Sequence, residues 1–317
     1  MTFRLRSLLQ PTGPARNVVR AVTALATAGG LWFSLREVSA PELAQAFALT
    51  DLSRVLGFGL PLLVLGSLAR TARYGALLPA VEKQPRFFEL WSSVILSTAG
   101  NYILPLKGGE LFRTRETVAA GVPLAGVAVA QVTEKVIETL SLFSVAMPLL
   151  ASRLSYCRPA VTVAGLIVVG LALTKMVARR FRVGARQFAL SLGWSAASDA
   201  IEIGVVAACL AGLGLPSGLL PCAMVYVAVN VATALPLTPG NLGTFEAGAA
   251  LPLVALGVGH DAAVAFALVY RAIQWLPVTF AGAALWVRRA VLRRSTHAEA
   301  WRPGKLRSGQ ALPDGSS

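Results

Sequence analysis

Histidine and cysteine are nearly missing from this sequence, and acidic residues are scarce. The two histidines, His260 and His297, lie far from the three cysteines, Cys157, Cys209 and Cys222, and no CxxC spacing occurs. Neither a zinc site nor a disulfide framework is indicated. Charged residues make up 14% of the chain against 55% apolar ones, with a mean hydropathy of +0.65, which excludes an ordinary soluble domain. No HExxH, GxSxG, P-loop or aspartyl pair at catalytic spacing is present, so nothing positive supports an enzyme and no cofactor or metal is implied.

What the chain does have is basic residues, 29 Lys and Arg against 15 Asp and Glu, for a net charge of +14 over 317 residues. A nucleic-acid binder would carry them on a soluble domain, whereas here they cluster in short stretches between apolar runs. No nucleic-acid partner is expected, and the excess reads as membrane topology. A bilayer core of roughly 30 Å needs about 20 mainly apolar helical residues. Full spans are expected near Asn17 to Leu35, Arg54 to Leu78, Val122 to Leu150, Ala160 to Ala178, Phe188 to Leu213 and Asp261 to Arg288. The first follows Arg4, Arg6, Arg16 and Arg20 but is not closed by a small-residue cleavage site, so it reads as a span and not a removed signal.

Two further apolar segments, Leu90 to Leu106 and Leu219 to Leu237, run into Pro/Gly-rich turns and read as re-entrant or broken hairpins. Lysine and arginine in short loops mark the cytoplasmic side. Placing the amino terminus inside collects Arg4 to Arg20, Arg70 to Arg115, Lys175 to Arg186 and everything after Arg288 on that side. Only Arg36, Arg54, Arg153 and Arg158 are left outside. The expectation is a bacterial inner-membrane protein with both termini cytoplasmic. It has a single transmembrane domain over 1–294 and a disordered tail over 295–317 that touches anionic lipid.

The sequence also echoes itself. Asn101-Tyr-Ile-Leu-Pro-Leu followed by Glu110 is matched by Asn230-Val-Ala-Thr-Ala-Leu-Pro-Leu followed by Glu246. At the offset that relates the two glutamates, Gly121-Val122, Lys135 and Ile137-Glu138 fall opposite Gly257-Val258, Arg271 and Ile273-Gln274. Three spans separate the hairpins, so they enter from opposite sides. The fold expected is an all-α polytopic membrane protein of about six full spans plus two re-entrant or broken hairpins in two inverted repeats, as in many secondary transporters. Repeat one covers about 54–150 and repeat two about 188–289.

The first turn reads Asn101-Tyr-Ile-Leu-Pro105-Leu-Lys107-Gly-Gly-Glu110-Leu-Phe-Arg113, and the second runs from Asn230 through Pro236, Pro239, Gly240 and Gly243 to Glu246. Irregular backbone at membrane depth survives only where protein or a water-filled cavity satisfies it, so both turns imply a polar interior. Half-helix amino termini there would attract an anion such as phosphate. These residues resemble the transmembrane region of lysylphosphatidylglycerol synthases and their stand-alone flippase-like relatives, with an Asn, Leu-Pro, Gly-Glu, Arg turn and a Pro-Gly, Gly, Glu turn. Arg70 and Arg73-Tyr74 resemble that family's arginine pair, Glu134-Lys135 its acidic-basic pair and Arg271 its late arginine. Lys107 and Lys135 depart from it, because arginine is commoner at both places and a lysine loses the planar fork that grips phosphate. The resemblance implies movement of a lipid with a polar headgroup. The chain ends soon after Arg294, so no aminoacyl transfer is expected.

Buried charge points the same way, since an ionised side chain at a helix centre costs about 2.5–3.5 kcal/mol on insertion scales. Glu134, Lys135, Glu138, Asp199, Glu202 and Arg271 all fall inside apolar segments. Glu134 with Glu138, and Asp199 with Glu202, share helix faces, with Lys135 and Arg271 as the expected counter-charges. Structural pairing between helices is the competing reading for each. Arg70 and Arg73 either snorkel to the interface or contact a headgroup. Asn101 and Asn230 stand where they could hold freed backbone groups, and Trp194 and Trp275 read as packing or interface residues. Three functions remain open: a flippase for a phosphate-bearing lipid, of aminoacyl-phosphatidylglycerol or polyprenyl-phosphate type, a transporter of a soluble anion, and a non-transporting scaffold. For the flippase, membrane lipids are the partners, and Glu110 and Glu246 organise the turns or carry protons as the coupling ion.

Overall fold

The computed structural model describes residues 40–48, 50–82, 84–103, 108–153, 184–234 and 239–300. The expected spans Asn17 to Leu35 and Ala160 to Ala178, the residues Pro105, Lys107 and Pro236, and the end of the chain beyond Ala300 lie outside these. Among the described residues every regular element is helical. The helices are α1 (Ala40–Ala48), α2 (Leu52–Leu77), α3 (Phe87–Ile103), α4 (Gly109–Ala119), α5 (Leu124–Arg153), α6 (Ala185–Gly212), α7 (Leu219–Ala234), α8 (Thr244–Ala255) and α9 (His260–Ala300), with a short 3₁₀ turn at Pro239–Asn241.

Among the described residues three stretches are long and apolar enough to cross a membrane: α2, α6 and the His260–Arg289 part of α9. They coincide within a few residues with expected spans. Helix α5 is as long but carries Glu134, Lys135 and Glu138 along its length. Large apolar side chains such as Phe58, Phe280 and Trp286 point away from the bundle, as suits a surface solvated by lipid. Helix α9 continues to Ala300, past Arg294, where the sequence reading began a disordered tail. Its backbone hydrogen bonding simply extends through the basic stretch Arg288-Arg289 and Arg293-Arg294.

The helices on either side of each expected turn, whose residues 104–107 and 235–238 lie outside the described residues, pack closely on each other. A Cβ added at Gly109 would fall 2.0 Å from the Ser97 carbonyl oxygen, and one at Gly248 would fall 3.1 Å from the Ala228 carbonyl oxygen. Small residues at these crossings therefore permit the close approach of α3 to α4 and of α7 to α8. The second helix of each pair ends in the same way. Gly121 (φ 100°) and Gly257 (φ 86°) adopt the left-handed conformation. The next amides reach back, Val122 to Thr117 at 3.3 Å and Val258 to Leu253 at 3.0 Å. This is the Schellman closure that favours glycine.

At the centre α2 and α6 run antiparallel. Val55 abuts Gly212, Leu62 abuts Gly204, Gly66 abuts Ile201, and Ser191 donates to the Arg73 carbonyl at the far end. Helix α9 runs antiparallel to α3, with Gly282 against Ala99 and Arg289 against Ser92. One apolar core joins Val206 and Leu210 to Val225, Leu253 and Phe266, and a second joins Tyr74 and Leu77 to Val94, Val127 and Ile137. Between them the hairpins touch: a Cβ on Gly240 would lie 2.7 Å from the carbonyl oxygen of Tyr102.

Gly109→Val should lower thermal stability by about 1–3 kcal/mol through forced separation of α3 and α4. Gly193→Ala, where an added Cβ meets nothing within 4 Å, should raise stability by about 0.5–1 kcal/mol. Thermal unfolding of detergent-solubilised variants followed by intrinsic fluorescence checks both, and equal melting temperatures would contradict the hairpin geometry.

Candidate functional site

The first group of charges is built where α2, α4 and α5 converge. Arg73, 2% exposed, donates through Nε and Nη2 to Glu134 Oε1 at 3.3 and 3.0 Å and through Nη1 to Ser195 Oγ at 3.1 Å. Its Nη2 also pairs with Glu138. Arg113 Nη2 sits 2.7 Å from Glu134 Oε2 and 2.6 Å from Glu110 Oε2, and its guanidinium covers the Tyr74 ring at 4.4 Å. Tyr74 in turn donates to Thr117 Oγ1 at 3.1 Å. Lys135, half-exposed, reaches Glu138 Oε2 at 2.7 Å, and Asn101 Nδ2 reaches Glu110 Oε1 at 3.4 Å. Three carboxylates thus meet three cations, and each buried charge has its opposite.

The second group forms at the broken turn between α7 and α8. Gly240 (φ 59°) and Asn241 (φ 54°) are both left-handed, and Gly243 (φ 83°) follows. The glycine at 240 has no room for a side chain, because an added Cβ would strike the Trp275 ring. Arg271 on α9 serves this turn, donating to the Gly240 carbonyl at 2.6 Å and pairing with Glu246. Glu246 accepts from the Gly243 amide at 2.6 Å. The Arg271 guanidinium lies 4.4 Å from the centre of the Trp275 ring, which packs 5.2 Å from Tyr102. Trp275 is therefore a packing residue, as read from the sequence, and it also carries the cation.

Asp199 and Glu202 on α6 form a third group. Asp199 accepts from Ser141, and Glu202 from Tyr270 at 3.5 Å and Gln274 at 3.4 Å. Glu202, Arg70, Tyr102 and Gln274 line a cavity of about 40 Å³ with Ser67 and Thr98. A larger cavity of about 650 Å³ lies between the start of α3, the end of α4 and α9, bordered by Gln84, Glu89, Ser93, Glu116 and Arg289. There Arg289 pairs with Glu116 at 2.7 Å and donates to Ser92 at 2.6 Å.

Several expectations change. Arg271 does not serve Asp199 and Glu202, because its fork is occupied by Glu246 and the Gly240 carbonyl. Lys135 is a counter-charge for Glu138, but Glu134 is served by Arg73 and Arg113. Arg73 does not snorkel, since it lies inside the carboxylate cluster. Asn230 donates to the Tyr226 carbonyl of its own helix at 2.9 Å. Pro239 opens the 3₁₀ turn that carries Gly240. Sequence reasoning missed Ser141, Ser195, Tyr226, Gln274 and the Arg289–Glu116 pair. For Gln274 a signal existed, because it falls opposite Glu138 in the sequence echo, and Gln274 and Glu138 each reach from a late helix towards α6 and α2.

A family model described as lysylphosphatidylglycerol synthase TM region matches residues 18–282. A comparison with curated proteins finds no match.

Glu134→Gln leaves Arg73 and Arg113 buried with one counter-charge fewer and should cost about 3–5 kcal/mol of stability. The double variant Glu134→Gln/Arg113→Gln should recover part of that loss. Melting curves of the two in detergent decide it, and additive losses would sink the network reading.

Proposed function

The chain belongs to the lysylphosphatidylglycerol synthase TM region family, and from that premise we propose that it moves a phosphate-bearing lipid across a membrane. Two broken hairpins meeting inside an apolar helical bundle, with Gly240 against Tyr102, are the observation that carries this reading. A broken helix at membrane depth marks a polar passage in transporters. The lipid class is an aminoacyl-phosphatidylglycerol or a polyprenyl phosphate, and no covalent step is assigned.

The hairpins act as inverted repeats. In support, α2 and α6 are antiparallel, and each hairpin has a glutamate in the first turn of its second helix, Glu110 and Glu246. Each of those helices also ends in a left-handed glycine at the same offset. Opposite entry lets one tip part from the other while the site between them changes the side it faces. The cavity of about 650 Å³ beside Arg289 lies in the size range of small-molecule sites, ≈ 300–1,000 Å³. It lies beside the basic end of α9, which loop charge places at the cytoplasmic face of the inner membrane. A headgroup would meet Arg289 there first.

Reconstitution into vesicles carrying fluorescent phosphate-bearing lipids tests the proposal. Wild type should expose inner-leaflet probe to a membrane-impermeant quencher. Arg271→Ala and Glu246→Ala, which undo the second turn, should be slower by about tenfold or more, equivalent to about 1.4 kcal/mol in barrier. A correctly inserted wild type that moves none of the lipid classes under any imposed proton gradient would overturn it, and uptake of a soluble anion instead would replace it.

A further inference from the structure

The buried carboxylates of the bundle divide by the company they keep. Glu110, Glu134, Glu138 and Glu246 each touch an arginine or lysine. Asp199 and Glu202, one turn apart on α6, touch neutral donors: Ser141 for the first, Tyr270 and Gln274 for the second. Among the described residues neither has an ion-pair partner. Hydroxyl and amide groups serve a carboxyl and a carboxylate alike, so this pair changes protonation without breaking a direct ion pair. Protonating any of the other four would leave an arginine or lysine short of its counter-charge inside the protein, which is costly.

The cavity beside Glu202 fits this division. At about 40 Å³ it has room for roughly two or three waters, each needing about 10–15 Å³ by this measure, and no room for a lipid headgroup. Its wall carries Arg70, whose Nε reaches the Gly66 carbonyl of its own helix at 3.4 Å. Among the described residues no carboxylate pairs with it. A cation and a carboxylate thus face one water-sized space without touching, with Ser67, Thr98, Tyr102 and Gln274 to hold the water between them.

We infer that Asp199 and Glu202 form a proton-binding site reached through this cavity, and that Arg70 couples the proton to an anionic group. Groups facing the pair are Arg70 and Arg73 from α2, Tyr102 from α3, Glu138 from α5, Tyr226 from α7 and Tyr270 from α9. Arg73 is committed to Glu134 and Glu138, which leaves Arg70 as the cation whose balance depends on Glu202. A hydronium ion in the cavity water gives its proton to a Glu202 carboxylate oxygen, leaving a neutral carboxyl and a water. Arg70 then faces no negative charge across the cavity, and it accepts an anion such as a phosphate once the cavity widens as the hairpins part. Release of the proton restores the carboxylate, which displaces the anion. One proton and one monoanion together carry no net charge, so the pair does no work against the membrane potential. The coupling rests on the lipid-moving reading, whereas proton binding does not.

Infrared difference spectra of the purified full chain in phosphatidylcholine nanodiscs, recorded across a pH titration, test the site without any transport. Acidification should raise the C=O band of a protonated carboxyl. Glu202→Gln should lose it, and Glu202→Asp should retain it at a displaced frequency. A full wild-type band in both Glu202→Gln and Asp199→Asn, each eluting as wild type in size exclusion, would overturn the site. Where Glu202→Gln does not fold, an undisplaced band in Glu202→Asp does the same. At fixed pH, inorganic phosphate tests a soluble anion, and exchange of phosphatidylcholine for phosphatidylglycerol tests a lipid one. The anion that Arg70 takes should enlarge the band in wild type and leave Arg70→Gln unchanged. A band that responds to neither anion overturns the coupling and leaves the proton site standing.

Discussion

A helix broken among apolar neighbours frees carbonyls that no water can reach, and some resident donor has to take them. At the second hairpin that donor is Arg271, whose fork serves the Gly240 carbonyl and Glu246 at once. Much of the molecule's centre follows from this. The guanidinium needs a surface, and Trp275 supplies its ring. Trp275 and the Tyr102 carbonyl leave no room for a Cβ at residue 240, so the left-handed turn has to be glycine. Glu246, oriented by the Gly243 amide, closes the start of α8. The tip of the second hairpin is thereby fixed against the end of α3, where the first hairpin begins to turn.

The first hairpin carries different residues at the echoed positions. Where Arg271 and Tyr270 stand on α9, the echoed positions on α5 hold Lys135 and Glu134. An ammonium is a compact point charge without a fork, and Lys135 is turned outward to Glu138. The cationic role passes to Arg113 on α4 and Arg73 on α2, with Glu134 between them. This exchange also accounts for the bare carboxylates of α6. A buried glutamate on α5 draws in an arginine from α2. The tyrosine at the echoed place on α9 gives Glu202 a hydroxyl and no charge.

The spans α2, α6 and α9 were legible because a run of apolar residues about 20 long has one use in a bilayer. The helix breaks were legible because Pro and Gly punctuate the sequence around 104–109 and 235–243. Charge partners were not legible in the same way. Local spacing could pair Glu134 with Glu138 or Asp199 with Glu202 on a helix face. The partners that matter, Arg73 with Glu134 and Arg271 with Gly240, come from other elements and are joined only by packing. Reading Lys135 and Arg271 as counter-charges to those faces followed from their position among the apolar runs, and it missed that a broken turn competes for the same arginine. The Arg289–Glu116 pair was beyond reach for the same reason, with α4 and the end of α9 brought together through the antiparallel packing of α9 on α3.

On the proposed lipid-moving function, the unequal wiring of the two halves bears on which of them would move. Separating α2, α4 and α5 would strand several interlocked charges at once, each worth several kcal/mol when left unpaired away from water. Those helices are best regarded as one rigid body. The second tip is tied by a single guanidinium to one carbonyl and one carboxylate, and by contact of Gly240 and Trp275 with α3. Its release strands one ion pair, which an entering anionic group could replace, since Arg271 would keep a negative partner throughout. For that proposed movement the lower barrier would therefore lie at the second hairpin. A passage between the two would open by withdrawal of Gly240 from Tyr102 while the carboxylate cluster of the first half stays closed.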